Sequence, residues 1–268
     1  MDKLYLGEDV QLGIGDDAAV VLPPSQNQLM LHTVDYFRAF LSDNYLLGRI
    51  AAVHSLSDIY AMNGRASTAL ATCIIPYGLP SKVEAELTHL LAGVAAGLKD
   101  ERCSLVGGHS AEGAEVAIGI TANGVVEKTQ LFAGYCAREG DAIILTKGLG
   151  TGAILAADMK CGAKGVWVWK AILNMLQSNR IAARVLFDHG CRTVTDITGF
   201  GLIVHLAQLL QKDNHESTHM VRMQLNNVPV LDGAVECIKA GFVSSLQKEV
   251  SLRMFIISNA FFSITYLL

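Results

Sequence analysis

The order of apolar and polar positions along the chain alternates between two patterns. Short apolar runs bounded by Gly, Pro, Asn or Asp are typical of strands, and apolar residues that recur every three or four positions are typical of helices. The short runs predict strands at Ala18–Leu22, Leu29–Val34, Leu70–Ile75, Ala117–Val126 and Ala142–Thr146. The helical pattern predicts helices at Tyr45–Met62, Ser81–Leu98, Val166–Leu186 and Gly201–Lys212. Because strands alternate with helices, we expect an α/β or α+β fold.

The length of 268 residues favours two domains over one. The best boundary is the polar stretch Glu127–Glu139, which predicts an N-terminal domain over 1–130 and a C-terminal domain over 131–268. The chain ends in an apolar run, Met254–Leu268, that is shorter than the roughly 20 residues needed to span a bilayer. We therefore expect this run to form a buried strand or helix, and we expect no membrane partner.

Composition excludes some classes of protein. The chain is 51% hydrophobic and 17% charged, which excludes a disordered chain, and its net charge of −4 without a basic block argues against a nucleic-acid partner. No two cysteines are close enough for a CxxC zinc or redox motif. We expect them to be buried thiols and the protein to be cytoplasmic, since no signal peptide opens the chain. The cysteines are Cys73, Cys103, Cys136, Cys161, Cys191 and Cys237.

Two adjacent carboxylates, Asp16 and Asp17, lie between Gly15 and an apolar run, with no Lys or Arg within four residues. In a tight turn their charges repel unless a cation lies beside them, and hard carboxylate oxygens suit Mg²⁺. The alternative is a solvated turn in which Asp is favoured for its turn chemistry.

Two further acids follow. Asp35 comes after a predicted strand, so it is expected at a sheet edge where α/β proteins bind ligands, or else in a surface loop. Asp58 lies on the predicted helix Gly48–Met62 with His54 at i−4 and no Lys or Arg at helical spacing. Either Asp58 faces water or another group supplies positive charge.

Glycine-rich segments complete the candidates. Gly107–Ser110 predicts a turn whose N–H groups could bind phosphate, with a plain glycine turn as the alternative. Asp196 lies in a glycine-rich turn that enters a helix, where it could act as an N-cap-like acid. Gly148–Ala153 fits G-x-G-x-x-A but lacks the acid that a dinucleotide site requires, and no P-loop motif is present.

The segments IGDDAAV, HTVDYF, GRIAAVHSLSDIYAMNG, VGGHS and TDITGFGL, in this order, resemble selenophosphate synthetase (selenide, water dikinase) of the AIR synthetase superfamily. The resemblance covers about residues 10–245. The related thiamine-monophosphate kinase family shares the GDDAAV and SDI elements but differs around the GGHS and TDITGFG positions. HTVDYF and SDIYAM are especially similar to the form fused behind a flavin-dependent dehydrogenase, so the chain could be a fragment of such a protein.

This resemblance implies a two-domain AIR-synthetase-like fold, with an N-terminal mixed sheet that forms a dimeric barrel and a C-terminal α/β domain. It implies conversion of ATP, selenide and water to selenophosphate, AMP and phosphate, with Mg²⁺ as cofactor and a homodimer as the assembly. By the same resemblance, the ATP-binding residues are Gly15, Asp16, Asp35, Asp58, Gly108, His109 and Ser110. The last three would reach ATP from the other subunit. The metal-binding residues are Asp17, Asp58 and Asp196.

Two departures from the family pattern bear on activity. The family's reactive Cys or selenocysteine and its nearby Lys have no counterpart here, so we expect no catalytic residue in this chain and doubt its turnover alone. After about residue 245 the family pattern stops, which predicts a truncated or altered C-terminal domain. The alternatives are another ATP-dependent small-molecule kinase of the superfamily, which would release ADP, or a catalytically dead dimerisation or regulatory partner.

Overall fold

The computed structural model describes residues 5–12, 18–132, 140–191, 193–211, 220–224, 227–244 and 261–265. The chain divides into two units by its internal contacts. The first consists of Met1–Leu131 with Met175–Val185, and the second of Phe132–Asn174 with Leu186–Leu268. Each unit is a mixture of helices and strands.

A mixed four-stranded sheet forms the centre of the first unit. Its strands are β3 (Gln28–Arg38), β4 (Arg65–Pro76), β5 (Ser104–Gly113) and β6 (Ala117–Glu127), and a separate pair is formed by β1 (Val10–Leu12) and β2 (Val20–Val21). The sheet order is β3-β6-β4-β5, in which β6 runs antiparallel to both neighbours and β5 runs parallel to β4. The sheet is open over the residues described, and β3 and β5 are its edges.

Three helices lie in this unit: α1 (Asn44–Ser55), α2 (Ser57–Ala61) and α3 (Pro80–Asp100). The side chain of Asp43 begins α1 by accepting a hydrogen bond from the Leu46 N–H at 2.9 Å. Glycines let α1 and α3 approach closely, since a Cβ on Gly93 would lie 2.0 Å from the Tyr45 carbonyl oxygen. Fully buried apolar side chains of both helices and the sheet form the core, among them Leu47, Leu56, Ile59, Leu90, Val94, Leu98, Ile118 and Ile120.

The predicted helix Tyr45–Met62 is divided at Leu56 into α1 and α2. Ser57 Oγ donates to the Val53 carbonyl at 3.3 Å, a local bond of the kind that bends helices. The predicted strand Leu29–Val34 continues to Arg38, so the expectation that Asp35 follows the strand is wrong. Pairing with β6 extends over the whole of β3, which explains the extra length.

The second unit contains α4 (Thr151–Asp158), most of α5 (Gly165–Leu176), the end of α6 (Arg180–Asp188), α7 (Gly201–Gln211) and α8 (Ala234–Lys239). Its strands β7 (Met220–Gln224) and β8 (Phe261–Thr265) pair in parallel. Ile154, Ala157, Ala171 and Cys237 are core residues here.

Two expectations for this part of the chain are wrong. The predicted helix Val166–Leu186 is interrupted between Leu176 and Arg180. The predicted strand Ala142–Thr146 is irregular, with Ile143 60% and Ile144 69% exposed. No described segment pairs with its apolar residues.

Cys73, Cys103 and Cys237 are buried as predicted, whereas Cys161 is exposed and Cys191 is half-buried. Cys136 lies outside the described residues. Of the apolar run Met254–Leu268, only residues 261–265 are described, as β8. Among the helices of the described ranges, none combines the length and the apolar character needed to cross a membrane.

Candidate functional site

From Leu31 to Arg38, partly buried and exposed positions alternate along β3. Thr33 and Asp35 are partly buried, while Val34 between them is 67% exposed. Residues two apart in a strand share a face, so the Thr33 hydroxyl and the Asp35 carboxylate lie on the same side of the sheet. This is the side on which α1 and α2 interact with Asp35.

Asp58 lies in the first turn of α2 and is half-buried. Its Oδ2 accepts a hydrogen bond of 2.5 Å from Thr33 Oγ1, which fixes the carboxylate against β3. The charge of Asp58 acts on Asp35, so a strand and a helix bring the two acids into one site. Thr33 was not among the sequence candidates, although its place two residues before Asp35 would have indicated it.

Burial raises the pKa of Asp35 above its ordinary value, and the charge of Asp58 raises it further. The charge of His54 and the nearby Ser55 hydroxyl act in the opposite direction and lower it. His54 also packs edge-on against Phe37, with ring centroids 5.1 Å apart. Ser55 Oγ is fully buried and has no hydrogen bond of normal geometry among the described groups. The site therefore combines two repelling carboxylates with a buried hydroxyl that has bonding capacity left.

This donor set suits Mg²⁺. The ion prefers oxygen ligands and is commonly held by one or two carboxylates together with substrate phosphates. Asp35 and Asp58 supply two carboxylates, and a cation would relieve the repulsion between them. Within the described parts of the chain, no group of three or more His, Cys, Asp or Glu side chains is placed to hold a metal ion. Phosphate oxygens of a bound nucleotide would supply further oxygen ligands to an ion held here.

Asp196 belongs to the second unit, in the irregular segment before α7. Asp196 lies five residues before the helix begins. Burial lowers the pKa of Lys147, and the nearby charge of Asp196 opposes this change. The loop is held by His205, which is 7% exposed and whose Nε2 accepts from the Thr198 N–H at 3.1 Å. Lys147 was missed by the sequence reasoning because it follows the incorrectly predicted strand.

Gly108, His109 and Ser110 lie within β5 and are exposed, so the expected turn is wrong. A Cβ on Gly108 would lie 2.0 Å from the Ala71 carbonyl oxygen, which gives this glycine a role in strand packing. Three strand intervals separate β5 from β3, about 14 Å at roughly 4.8 Å each. A single chain therefore does not bring these three residues to Asp35.

Three predicted site residues, Gly15, Asp16 and Asp17, lie outside the described residues. The structure thus joins Asp35 and Asp58, places Asp196 with Lys147, and places the residues 108–110 on the opposite sheet edge.

Comparison with known proteins identifies the relatives of this chain. The model for the N-terminal domain of AIR synthase related proteins matches residues 15–126, and that for the C-terminal domain matches residues 138–232. The selenide, water dikinase of Carboxydothermus hydrogenoformans is 35% identical over 222 residues, 82% of this chain and 62% of the relative. That of Geobacter metallireducens is 33% identical over 244 residues, 88% of this chain and 68% of the relative. The chain spans less than two thirds, 62–66%, of the length of several such relatives.

Solved structures share the fold at low sequence identity. Thiamine-monophosphate kinase from Stenotrophomonas maltophilia is 19% identical with a TM-score of 0.71, covering 94% of this chain and 85% of that one. Hydrogenase maturation protein HypE in complex with ATP is 15% identical with a TM-score of 0.64, covering 90% and 75%. The mixed α/β architecture predicted from the sequence is thereby confirmed as an AIR-synthase fold. The chain belongs to the selenide, water dikinase family of AIR synthase related proteins.

Proposed function

We propose that this chain provides the ATP- and Mg²⁺-binding scaffold of a selenophosphate synthetase. The reaction converts ATP, selenide and water to selenophosphate, AMP and phosphate, and belongs to the phosphotransferases. The observation that carries the proposal is the pair of interacting carboxylates Asp35 and Asp58, with Asp58 fixed against β3 by Thr33. The pair lies in a chain that is 32–35% identical to selenide, water dikinases.

The proposed roles follow from the chemistry of the donors. Asp35 and Asp58 would hold Mg²⁺, and Gly15 and Asp16 would lie at the nucleotide. The family resemblance also implies metal-binding roles for Asp17 and Asp196. Bound Mg²⁺ neutralises charge on the phosphate oxygens during phosphoryl transfer. The half-buried setting of the two acids excludes part of the water, which strengthens their attraction for a cation. The fold of HypE, which holds ATP in a solved structure, supports the nucleotide as ligand.

The assembly that we propose is a homodimer built on the open face of the sheet. Val34 is 67% exposed, and Tyr36, Met30 and Leu70 are also exposed large apolar side chains of β3 and β4. Exposed apolar patches commonly mark interaction surfaces. A second copy would cover this face. By the family resemblance, Gly108, His109 and Ser110 of that copy would reach the nucleotide, which one chain's own residues 108–110 do not do. A cytoplasmic location remains part of the proposal.

Calorimetric titration with a non-hydrolysable ATP analogue, with and without Mg²⁺, tests the proposed site. We expect Mg²⁺-dependent binding by the wild-type chain and its loss, at least about 100-fold, in Asp58→Ala, because the metal loses a carboxylate ligand. Asp158→Ala is the matched control, since Asp158 is an exposed acid at the end of α4. Its affinity should stay within about twofold of wild type.

Two results would overturn the proposal. A folded wild-type chain without Mg²⁺-dependent binding would favour a catalytically dead partner protein. Equal affinity of wild type and Asp58→Ala would exclude the carboxylate site. If nucleotide binds, incubation with ATP, Mg²⁺ and selenide distinguishes the activities, because a selenophosphate synthetase releases AMP whereas a simple kinase releases ADP.

A further inference from the structure

The helix that carries Asp58, α2, has only five residues. A helix this short has too few hydrogen bonds to be stable alone, so tertiary contacts must hold it in place. Two of its side chains, Ser57 and Tyr60, are buried and flank Asp58 in the sequence. The polar contacts of these two side chains therefore help to fix the position of Asp58.

Tyr60 is anchored by a buried carboxylate. Its hydroxyl donates to Glu101 Oε2 at 2.6 Å, and the Tyr60 residue is 2% exposed. The Glu101 side chain is 7% exposed and forms an ion pair with Arg180, with 3.2 Å between Arg180 Nε and Glu101 Oε2. One carboxylate oxygen thus joins α2 to Arg180. A buried carboxylate needs such a cation, because removal of one partner leaves an uncompensated charge.

Ser57 is anchored by Asn179, the residue before Arg180. Asn179 Nδ2 donates to Ser57 Oγ at 3.1 Å, and Ser57 Oγ in turn donates to the Val53 carbonyl. Asn179 is 122 positions from Ser57 in the sequence, yet both belong to the first unit. Two adjacent residues, Asn179 and Arg180, therefore reach α2 on both sides of Asp58.

We propose that Asn179 and Arg180 are positioning residues for Asp58. They hold α2 through Ser57 and through the bond of Glu101 to Tyr60, and so keep the Asp58 carboxylate in line with Thr33 and beside Asp35. Neither residue touches the two acids in the described contacts; each acts through α2. The inference rests on the proposed function, since it assigns a consequence to the geometry of the proposed Mg²⁺ and nucleotide site.

The test measures Mg²⁺-dependent affinity for a non-hydrolysable ATP analogue together with thermal unfolding of each variant. Asn179→Ala and Arg180→Met should weaken the Mg²⁺-dependent affinity about 10-fold at a temperature at which both are folded. Arg180→Lys should recover most of the loss, because an ammonium group can still pair with Glu101. Recovery of affinity in Arg180→Lys would show that the positive charge positions α2, and not the packing of the aliphatic part of the Arg180 side chain.

Arg49→Met is the matched control. Arg49 Nη2 pairs with Asp100 Oδ2 at 2.9 Å, and this pair joins α1 to α3. Asp100 is the residue before Glu101, so the pair lies next to the Glu101 ion pair in the sequence. The affinity of Arg49→Met should stay within about twofold of wild type, even if its unfolding temperature falls as much as that of Arg180→Met. If Arg180 had only a structural role, Arg180→Met and Arg49→Met would both lose affinity in proportion to their loss of stability.

Asp58→Ala, measured in the same series, separates the two proposals. If Asp58→Ala binds like wild type, the proposed function fails. If Asp58→Ala loses Mg²⁺-dependent binding while folded Asn179→Ala and Arg180→Met bind like wild type, the positioning role fails. If Arg180→Met does not fold, Asn179→Ala decides the outcome alone, because it removes a hydrogen bond between neutral groups and leaves the buried ion pair intact.

Discussion

The negative charge of Asp35 favours a bound cation but lowers the stability of the fold. Its carboxylate is partly buried beside Asp58, and burial raises its pKa above the ordinary value of 3.8. The folded chain therefore holds the Asp35 proton more tightly than the unfolded chain does. Ionised Asp35 lowers the free energy of unfolding, and a bound cation would remove that cost.

This gives a stability prediction for Asp35→Asn. Above the raised pKa, the variant should be more stable than wild type by about 0.5–2 kcal/mol, because the ionised group is gone. As the pH falls through the raised pKa towards 3.8, wild-type Asp35 becomes protonated and the difference should shrink to zero. Urea unfolding at several pH values measures this. Mg²⁺-dependent nucleotide binding should be lost at the same time.

Asp158→Asn is the control for this measurement, since Asp158 is exposed and its replacement should change stability little at any pH. A variant Asp35→Asn that is less stable than wild type at neutral pH would contradict the account of a costly buried charge.

For single residues, the sequence predicted the two acids of the site but not the residues that contact them. Asp58 stood out because no Lys or Arg lies at helical spacing from it, and Asp35 because it follows an apolar run. Thr33 could have been found from the two-residue period of β3. The bond between Asn179 and Ser57 could not, because it joins residues 122 positions apart and no local pattern encodes such a contact.

The helices α1 and α3 pack closely because glycines lie where they meet, although glycine has a low helix propensity. In α1 and α3 the glycines lie at the contact between the two helices, where a Cβ on Gly93 would lie 2.0 Å from the Tyr45 carbonyl oxygen. Glycine weakens a helix by about 1 kcal/mol relative to alanine. Close contact between the helices is therefore obtained at the expense of helix propensity.

We expect Gly93→Ala to destabilise the protein by about 1–3 kcal/mol, the usual cost of overpacking a core, instead of stabilising its helix. The added methyl group would meet backbone atoms, which cannot turn away. Gly165→Ala is the matched control, because a Cβ there meets nothing within 4 Å. Chemical unfolding of both variants measures the difference. Equal stability of Gly93→Ala and wild type would contradict the close approach of α1 and α3.

Element prediction succeeded where the local pattern agrees with the packing, as in α3 and β6. It failed at Ala142–Thr146, where an apolar run has no strand beside it among the described residues, and at β5, where glycines indicated a turn. The glycines of β5 are needed instead because β4 passes close to them, as the short distance from Gly108 to Ala71 shows. Such close contacts between strands depend on the fold and are invisible to local patterns.

For the whole molecule, the order of five motifs predicted the family, and the alternation of elements predicted the fold class. Neither could predict how the sheet closes. The resemblance implied a dimeric barrel, whereas the described sheet of one chain is open with β3 and β5 as edges. Closure into a barrel with a second copy stays a prediction.

The open face gives this prediction a test. Val34 is 67% exposed and lies on the opposite face of β3 from Asp35, so Val34→Glu should leave the fold of the single chain intact. In a dimer the new carboxylate would be buried without a partner, which is costly. We expect the dimer dissociation constant to rise at least about 100-fold, roughly 2.8 kcal/mol, in sedimentation equilibrium.

Val166→Glu, a change at a similarly exposed valine of α5 in the second unit, should leave dimerisation unchanged. If the partner's residues 108–110 complete the nucleotide site, Val34→Glu should also bind the ATP analogue more weakly at concentrations where wild type is dimeric. A monomeric wild-type chain, or a Val34→Glu dimer as tight as wild type, would show that this face of the sheet is not the interface. A monomeric chain would then have to bind nucleotide without residues 108–110, because its own lie at the far edge of the sheet from Asp35.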